Sequence, residues 1–172
     1  CKPETNYGKD KLKCTNFLVQ SFKQHGFPMI VFRAYQIYGP LQETNRLIPI
    51  ASKACRFDEK FNCIDGNQIR DYLYIDDLVD AVSKAINNSK AIGHIFNLGS
   101  GKKISIKYLI NYIKKHYKKG KPIYGKVKLR KDEKKEIYPN VSKIKKILNW
   151  KPKIDIKKGL SMTLEYYDRK YK

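Results

Sequence analysis

Tyr7 and Lys11 stand four residues apart, one turn of a helix, so that their heads can converge on one spot. A free phenol titrates near 10, and an adjacent ammonium favours the phenolate. Such a pair can therefore act as a general base near neutral pH. The competing reading is a half-buried Tyr beside a solvated Lys at a helix start. In a chain with 13 Tyr and 37 Lys or Arg, chance pairs are expected, and on these two residues alone the competing reading wins.

Other chemistry-bearing residues form fewer patterns. Cys1, Cys14, Cys55 and Cys63 show no C-x-x-C spacing, and His25, His94 and His116 complete no zinc pattern, so no metal is expected. With no secretory signal before them, the cysteines read as reduced thiols of a cytoplasmic protein. The formal charge of +21 invites a nucleic-acid partner, which would bind tightly and salt-dependently. The excess is lysine spread along the whole chain, with arginine only at Arg33, Arg46, Arg56, Arg70, Arg130 and Arg169. That pattern reads as composition bias on a solvated surface, with no specific nucleic acid expected. The apolar run from Phe27 to Phe32 is too short to span a bilayer, and no membrane association is expected.

The elements that must position Tyr7 and Lys11 follow from the periodicity. Cys14, Phe17, Leu18 and Phe22 recur at helical spacing, and Gly26 is placed to end that helix. Pro28 opens Met29 to Phe32, a continuous apolar run of the kind a strand buried on both faces shows. Gly39-Pro40 forces a turn after it. Leu47 to Phe57 reads as a helix with Pro49 in its first turn. Phe61 to Ile64 and Ile69 to Ile75 read as strands paired across the turn at Asp65 to Gln68. Asp76 or Asp77 is expected to cap a helix whose stripe is Leu78, Val79, Val82 and Ile86. His94 to Leu98 is a strand, and Ser105 caps a helix with Ile106, Leu109, Ile110 and Ile113 inward. Lys114 to Lys135 reads as exposed loop with one short strand. Ser142 to Leu148 and Ile156 to Tyr171 are helices, with Asn140 as the cap of the first and Trp150 in the core. Helix and strand alternate at the start and mix afterwards, which is α/β.

Five landmarks in sequence resemble the extended short-chain dehydrogenase/reductases, the nucleotide-sugar epimerase/dehydratase family. Tyr7 to Lys11 is similar to its Y-x-x-x-K. Arg33 to Pro40 is similar to R-x-x-N-V-Y-G-P, with Gln36 in place of the Asn. Arg70 to Asp77 resembles R-D-F/Y-V/I-Y/H-V-D-D, and Phe96 to Gly101 resembles F-N-[IVL]-G-[ST]-G. Ser142-Lys143 through Leu148-Asn149-Trp150-Lys151-Pro152 is similar to the S-K and W-x-P landmarks near the family's end.

The resemblance implies an NAD- or NADP-dependent reaction at C4 of a nucleotide-diphosphate sugar, of the 4-epimerase or 4-ketoreductase type. Tyr7 and Lys11 are then catalytic and touch the cofactor, as do Ala34 and Tyr35. Gln36, Arg46, Arg70, Arg130 and Glu133 bind the substrate: Arg70 and Arg130 on the diphosphate, Glu133 on a ribose hydroxyl, Gln36 on the phosphate or sugar, and Arg46 in the loop that covers the base. The segment Asn45 to Pro49 leans toward the reductase and epimerase branches. The implied fold is the C-terminal part of a Rossmann-type doubly wound parallel sheet plus a small mixed α/β substrate-binding lobe. Residues 1–40 would end the dinucleotide-binding domain, and 41–172 would form mainly the sugar-nucleotide lobe, with 71–100 returning to the Rossmann domain. The full-length enzyme is expected to be a homodimer. No G-x-x-G-x-x-G occurs in the sequence, and Gly99-x-Gly101 comes too late to supply it. The Gly-rich turn and the triad Ser/Thr are expected before Cys1, which makes the chain a fragment without turnover of its own. The alternative is an inactive truncated remnant or a non-catalytic sugar-nucleotide-binding module.

Overall fold

The protein is described here from a computed structural model that covers residues 3–129 and 133–171. Its elements run α1 (Asn6–His25), β1 (Ile30–Ala34), β2 (Gln36–Tyr38), α2 (Leu47–Arg56), β3 (Lys60–Asn62), β4 (Ile69–Arg70), β5 (Tyr72–Tyr74), α3 (Ile75–Ile86), β6 (His94–Leu98), β7 (Ile104–Ser105), α4 (Ile106–Tyr117), β8 (Lys121–Ile123), β9 (Glu136–Ile137), α5 (Ser142–Leu148) and α6 (Ile156–Lys170).

α1 starts where the Thr5 hydroxyl accepts the Gly8 N–H at 3.0 Å, the bond a threonine N-cap supplies to an otherwise unpaired amide. It stops at Gly26, whose φ of 66° lets its N–H reach the Phe22 carbonyl while Phe27 N–H reaches Ser21. Only a residue without Cβ takes that left-handed turn cheaply. The chain then enters β1, and β2 follows almost directly. Their partners differ: β1 pairs in parallel with β6, and β2 in parallel with β5. The change of partner falls between Tyr35, whose N–H donates to Leu98 O, and Gln36, whose N–H donates to Asp71 O.

β2 and β5 form a wall with a core on each side. Side chains alternate across a strand, so Leu73 and Ile37 face one core while Tyr72, Tyr74 and Tyr38 face the other. The first core joins Phe96 and Leu98 to Ala81 and Ala85 of α3 and to Ile144, Leu148 and Trp150 around α5. In the second, α2, α4 and α6 pack on a tyrosine cluster in which the Tyr38 and Tyr74 rings meet edge-on at 5.6 Å. Gly159 of α6 lies directly against the Tyr38 hydroxyl, where a Cβ would collide. Asp168 of α6 accepts from Arg56 and meets His116, each at 3.1 Å, and so ties α2 and α4 to the same helix.

Several expectations from sequence are corrected. The segments on either side of Asp65–Gln68 do not form a hairpin. β3 pairs in parallel with β8, and β4 lies between β7 and β9. The turn is closed by the Asp65 carboxylate accepting Asn67 N–H at 3.0 Å, which directs the chain onward rather than back. Tyr74, not an aspartate, is the N-cap of α3, and Asp76 and Asp77 sit in its first turn. The buried positions of α3 are Asp77, Ala81 and Ala85, while Val79 and Ile86 are exposed. Small residues allow this helix to approach β5 and α5 closely, Leu78 packs at the edge of that core, and Val79 and Ile86 are turned outward. The stretch read as loop from Lys114 still belongs to α4 as far as Tyr117. Asn140 acts one position earlier than a formal cap, its side chain accepting Ser142 N–H at 2.9 Å. No helix among the described residues is long and apolar enough to cross a membrane.

Candidate active site

Tyr7 lies in the first turn of α1 and Lys11 one turn later, with Lys11 Nζ 5.5 Å from the Tyr7 ring centroid. The ammonium thus rests over the aromatic face, a favourable cation–π placement. Tyr7 is 72% exposed, so the half-buried reading does not describe it. Gly8 between them has no room for a side chain. A Cβ there would stand 2.9 Å from Pro3 Cβ and 3.1 Å from the Thr5 hydroxyl, so the segment leading into α1 lies against its first turn.

Facing this turn is the C-terminal end of β1. Tyr7, Lys11 and Thr15 on one wall and Phe32, Arg33 and Ala34 on the other enclose a cleft of about 740 Å³, which Lys134 also lines. Arg33 and Ala34 continue into a second cleft of about 350 Å³ with Tyr35, Gln36, Arg70 and Ile137. Tyr35 and Gln36 continue into a third of about 310 Å³ with Gln42, Glu43 and Arg46. The three share residues at each junction and follow the strand from Tyr7 to Arg46. They lie where the chain changes sheet partner, the place where open α/β sheets receive ligands.

Arg70 is the most fixed cation on this path. It is 5% exposed. Its Nη1 donates to the carbonyls of Ile69 and Lys135 at 2.9 and 3.2 Å, and its Nη2 donates to Glu133 at 2.9 Å. A buried guanidinium needs such partners, and they hold its fork in one orientation at the cleft wall. Glu133, expected on a ribose hydroxyl, is thus also an Arg70 partner. Arg46 pairs with Glu43 at 3.3 Å with both side chains well exposed, an arrangement that costs little to rearrange. Gln36 is exposed at the start of β2, beside Arg70. Arg130 lies outside the described residues.

The carboxylates around the site are architectural. Asp71, fully buried, accepts Ser100 N–H at 2.6 Å, the Ser100 hydroxyl at 3.0 Å and Lys102 N–H at 3.0 Å. Burial pushes its carboxyl above the usual range, and the bonds from Ser100 and the loop amides pull the other way. Gly99 makes this possible, since a Cβ there would stand 2.5 Å from Pro139 and 2.7 Å from Asp71. Asp77 accepts Lys153 and Ile154 N–H at 2.8 and 3.0 Å, which fastens the segment after Trp150 to α3. Within Arg70 to Asp77, therefore, Arg70 lines the cleft, the tyrosines and Leu73 fill cores, and Asp71 and Asp77 pin loops. Sequence reading missed Lys134 as a cleft residue, and its position in a lysine-rich run carries no signal that could have singled it out. No group of three or more His, Cys, Asp or Glu among the described residues is arranged to hold a metal.

The family profile for GDP-mannose 4,6 dehydratase matches residues 1–163. CDP-abequose synthase of Salmonella muenchen is 33% identical over 137 residues, covering 78% of this chain and 46% of that protein. The dTDP-D-glucose 4,6-dehydratase of Homo sapiens is 29% identical over 174 residues, covering 96% and 49%. The crystal structure of UDP-glucuronic acid 4-epimerase from Bacillus cereus with UDP-glucuronic acid and NAD superposes with a TM-score of 0.90 at 26% identity, over 99% of this chain and 55% of that one. The chain spans about half the length of the curated relatives it matches. Over that half it has the Rossmann-type α/β fold of solved epimerases and dehydratases.

Proposed function

The chain belongs to the GDP-mannose 4,6-dehydratase family, nucleotide-sugar dehydratases and epimerases of the extended short-chain dehydrogenase/reductase type, and on that premise we propose that it is the portion of an NAD(P)-dependent 4-epimerase or 4-ketoreductase that holds a nucleotide-diphosphate sugar and moves a proton at its C4 oxygen. The observation that carries this reading is the series of three clefts with shared lining residues that takes in Tyr7 and Lys11, then Ala34, Tyr35 and Arg70, then Arg46. A diphosphate needs guanidinium forks held in place, and Arg70 is held by three bonds. With the diphosphate between Arg70 and Arg46, the sugar extends toward Tyr7. Tyr7 Oη then takes the proton of the sugar hydroxyl in one direction and returns it to the ketone in the other. Lys11 Nζ, over the same ring, is the cation nearest that proton transfer in the cleft.

The 740 Å³ cleft beside Ala34 is large enough for a nicotinamide ring next to the sugar. Held beside Ala34 and Tyr35, a nicotinamide would supply the hydride chemistry for the sugar C4. The residues present fit only this end of the dinucleotide, because the pyrophosphate needs a Gly-rich turn at a helix N-terminus and the sequence contains none. We therefore take the chain as the C-terminal part of the enzyme. A second reading, a non-catalytic remnant that binds sugar nucleotides, is favoured by the same missing turn and by the exposed apolar side chains of α1.

Calorimetric titration of this polypeptide with CDP-, dTDP-, GDP- and UDP-sugars tests the substrate assignment. At least one is expected to bind, and Arg70→Ala should weaken it about 10- to 100-fold, the worth of a charged hydrogen-bonding partner. Binding that is indifferent to Arg70 would contradict the assignment.

A further inference from the structure

α4 carries two stripes. Ile106, Leu109, Ile110 and Ile113 form the buried one. Beside it Tyr108, Asn111, Tyr112, Lys115 and His116 recur at helical spacing, so they share one flank of the helix. With Lys157 from the first turn of α6 they line a cleft of about 590 Å³, within the range of roughly 300–1,000 Å³ usual for small-molecule sites. It has no lining residue in common with the clefts of Tyr7, Arg70 and Arg46. The Tyr112 hydroxyl donates to the Lys157 carbonyl at 3.2 Å, and His116 Nε2 meets Asp168 at 3.1 Å. The flank is thereby fastened to α6 at two points.

Lysine is spread over the whole chain, so charge alone marks no place on this molecule. What sets this cleft apart is the company its lysines keep. The Tyr108 and Tyr112 rings lie side by side, centroids 6.5 Å and planes 35° apart, an aromatic wall on which a further ring can stack. The Asn111 amide oxygen accepts from the Tyr124 hydroxyl at 3.4 Å, while its N–H groups have no partner among the described residues. Lys115 has no ion pair among them either. Lys157 is opposed by Asp155, whose carboxylate also caps α6 through the amides of Lys157 and Lys158. Asp168, behind His116, is shared with Arg56. No carboxylate lines the cleft among the described residues. Aromatic faces beside N–H donors and ammonium groups suit a ligand that joins a flat ring to an anionic, acceptor-rich group. We propose that this cleft is a second binding site, for a nucleoside phosphate whose base lies on the two tyrosine rings and whose phosphate is held by Lys115 and Lys157.

The test is a backbone-amide NMR titration of the whole polypeptide with AMP, UMP, adenosine, inorganic phosphate and oligouridylates of increasing length. AMP or UMP should shift the amides of Tyr108, Asn111, Lys115 and Lys157 saturably, and bind about 10-fold tighter than adenosine or phosphate alone. Lys115→Gln and Tyr108→Ala, both at exposed positions, should each weaken the nucleotide about 10-fold. Shifts confined to the clefts of Tyr7, Arg70 and Arg46 would overturn the inference and leave the reading of that site standing. So would phosphate that binds as tightly as the nucleotides, because the rings would then play no part. An affinity that climbs steeply with oligouridylate length would overturn it too, since the flank would then be a strand-binding surface. The absence of any saturable shift with either nucleotide would have the same effect.

Discussion

α1 and α6 are both long helices with apolar residues at helical spacing, and they end in opposite conditions. α6, 15 residues long, buries Gly159, Leu160, Thr163, Leu164 and Tyr167. α1, 20 residues long, buries only Thr15 and leaves Phe17 67% exposed. The α6 side of the molecule has a closed core of tyrosines and aliphatics from α2, α4 and the β2–β5 wall. On the other side, α1 touches the rest through contacts such as Phe22 against Gly93. Burial of apolar surface is the main source of stability, so the α6 side should stand firmly while the helix carrying Tyr7 and Lys11 is loosely supported. In the proposed full enzyme, the apolar side of α1 is where the cofactor-binding half would pack.

The largest effect expected from this contrast is in the closed core. Leu164→Ala, at a fully buried site, should cost about 2–5 kcal/mol in urea unfolding. A cost below 1 kcal/mol would mean that the α6 core is not the stable one. Next comes Gly159→Ala, which drives a methyl into the Tyr38 hydroxyl and should cost about 1–3 kcal/mol. Of similar size, Asp71→Ala strips the partners from Ser100 and Lys102 amides and should cost about 1–3 kcal/mol.

High pH separates the two sides in another way. Burial pushes the Tyr72 phenol up to about 12, and Tyr38, Tyr117 and Tyr167 are raised by the same cause. The folded state therefore keeps protons that unfolded phenols release near pH 10. The stability this provides is complete below about pH 10 and is lost as pH rises from there through about 12. The urea midpoint should hold steady up to about pH 10 and fall beyond it, with a shallower fall in Tyr72→Phe. The smallest effect belongs to Phe17→Ser on the open face of α1, which should change stability by no more than about 0.5 kcal/mol.

Local signals made most elements readable: the Ser105 cap, Gly26 at the end of α1, and the apolar runs of β1 and β6. The pairing of distant strands was not readable. Nothing within Phe61 to Ile75 announces that β3 joins β8, because that choice is made by residues about sixty positions away. α3 misled because its branched residues are more conspicuous than Ala81 and Ala85, whose small size is what lets the helix pack. In the site, Tyr7, Lys11 and Arg70 are visible through motif spacing. Asp71 and Asp77 carry the same motif for a different reason, the pinning of loops, and Lys134 has no local mark at all.

The central claim is that this polypeptide holds the sugar-nucleotide side of an NAD(P)-dependent site without the means to hold the dinucleotide. Side-by-side calorimetric titration of the unmodified chain with NAD, NADP and the sugar nucleotide that binds it best tests that claim most directly. The expected result is saturable binding of the sugar nucleotide and no measurable heat with either dinucleotide. Tight binding of NAD or NADP, or turnover of a nucleotide sugar by this chain alone, would contradict it.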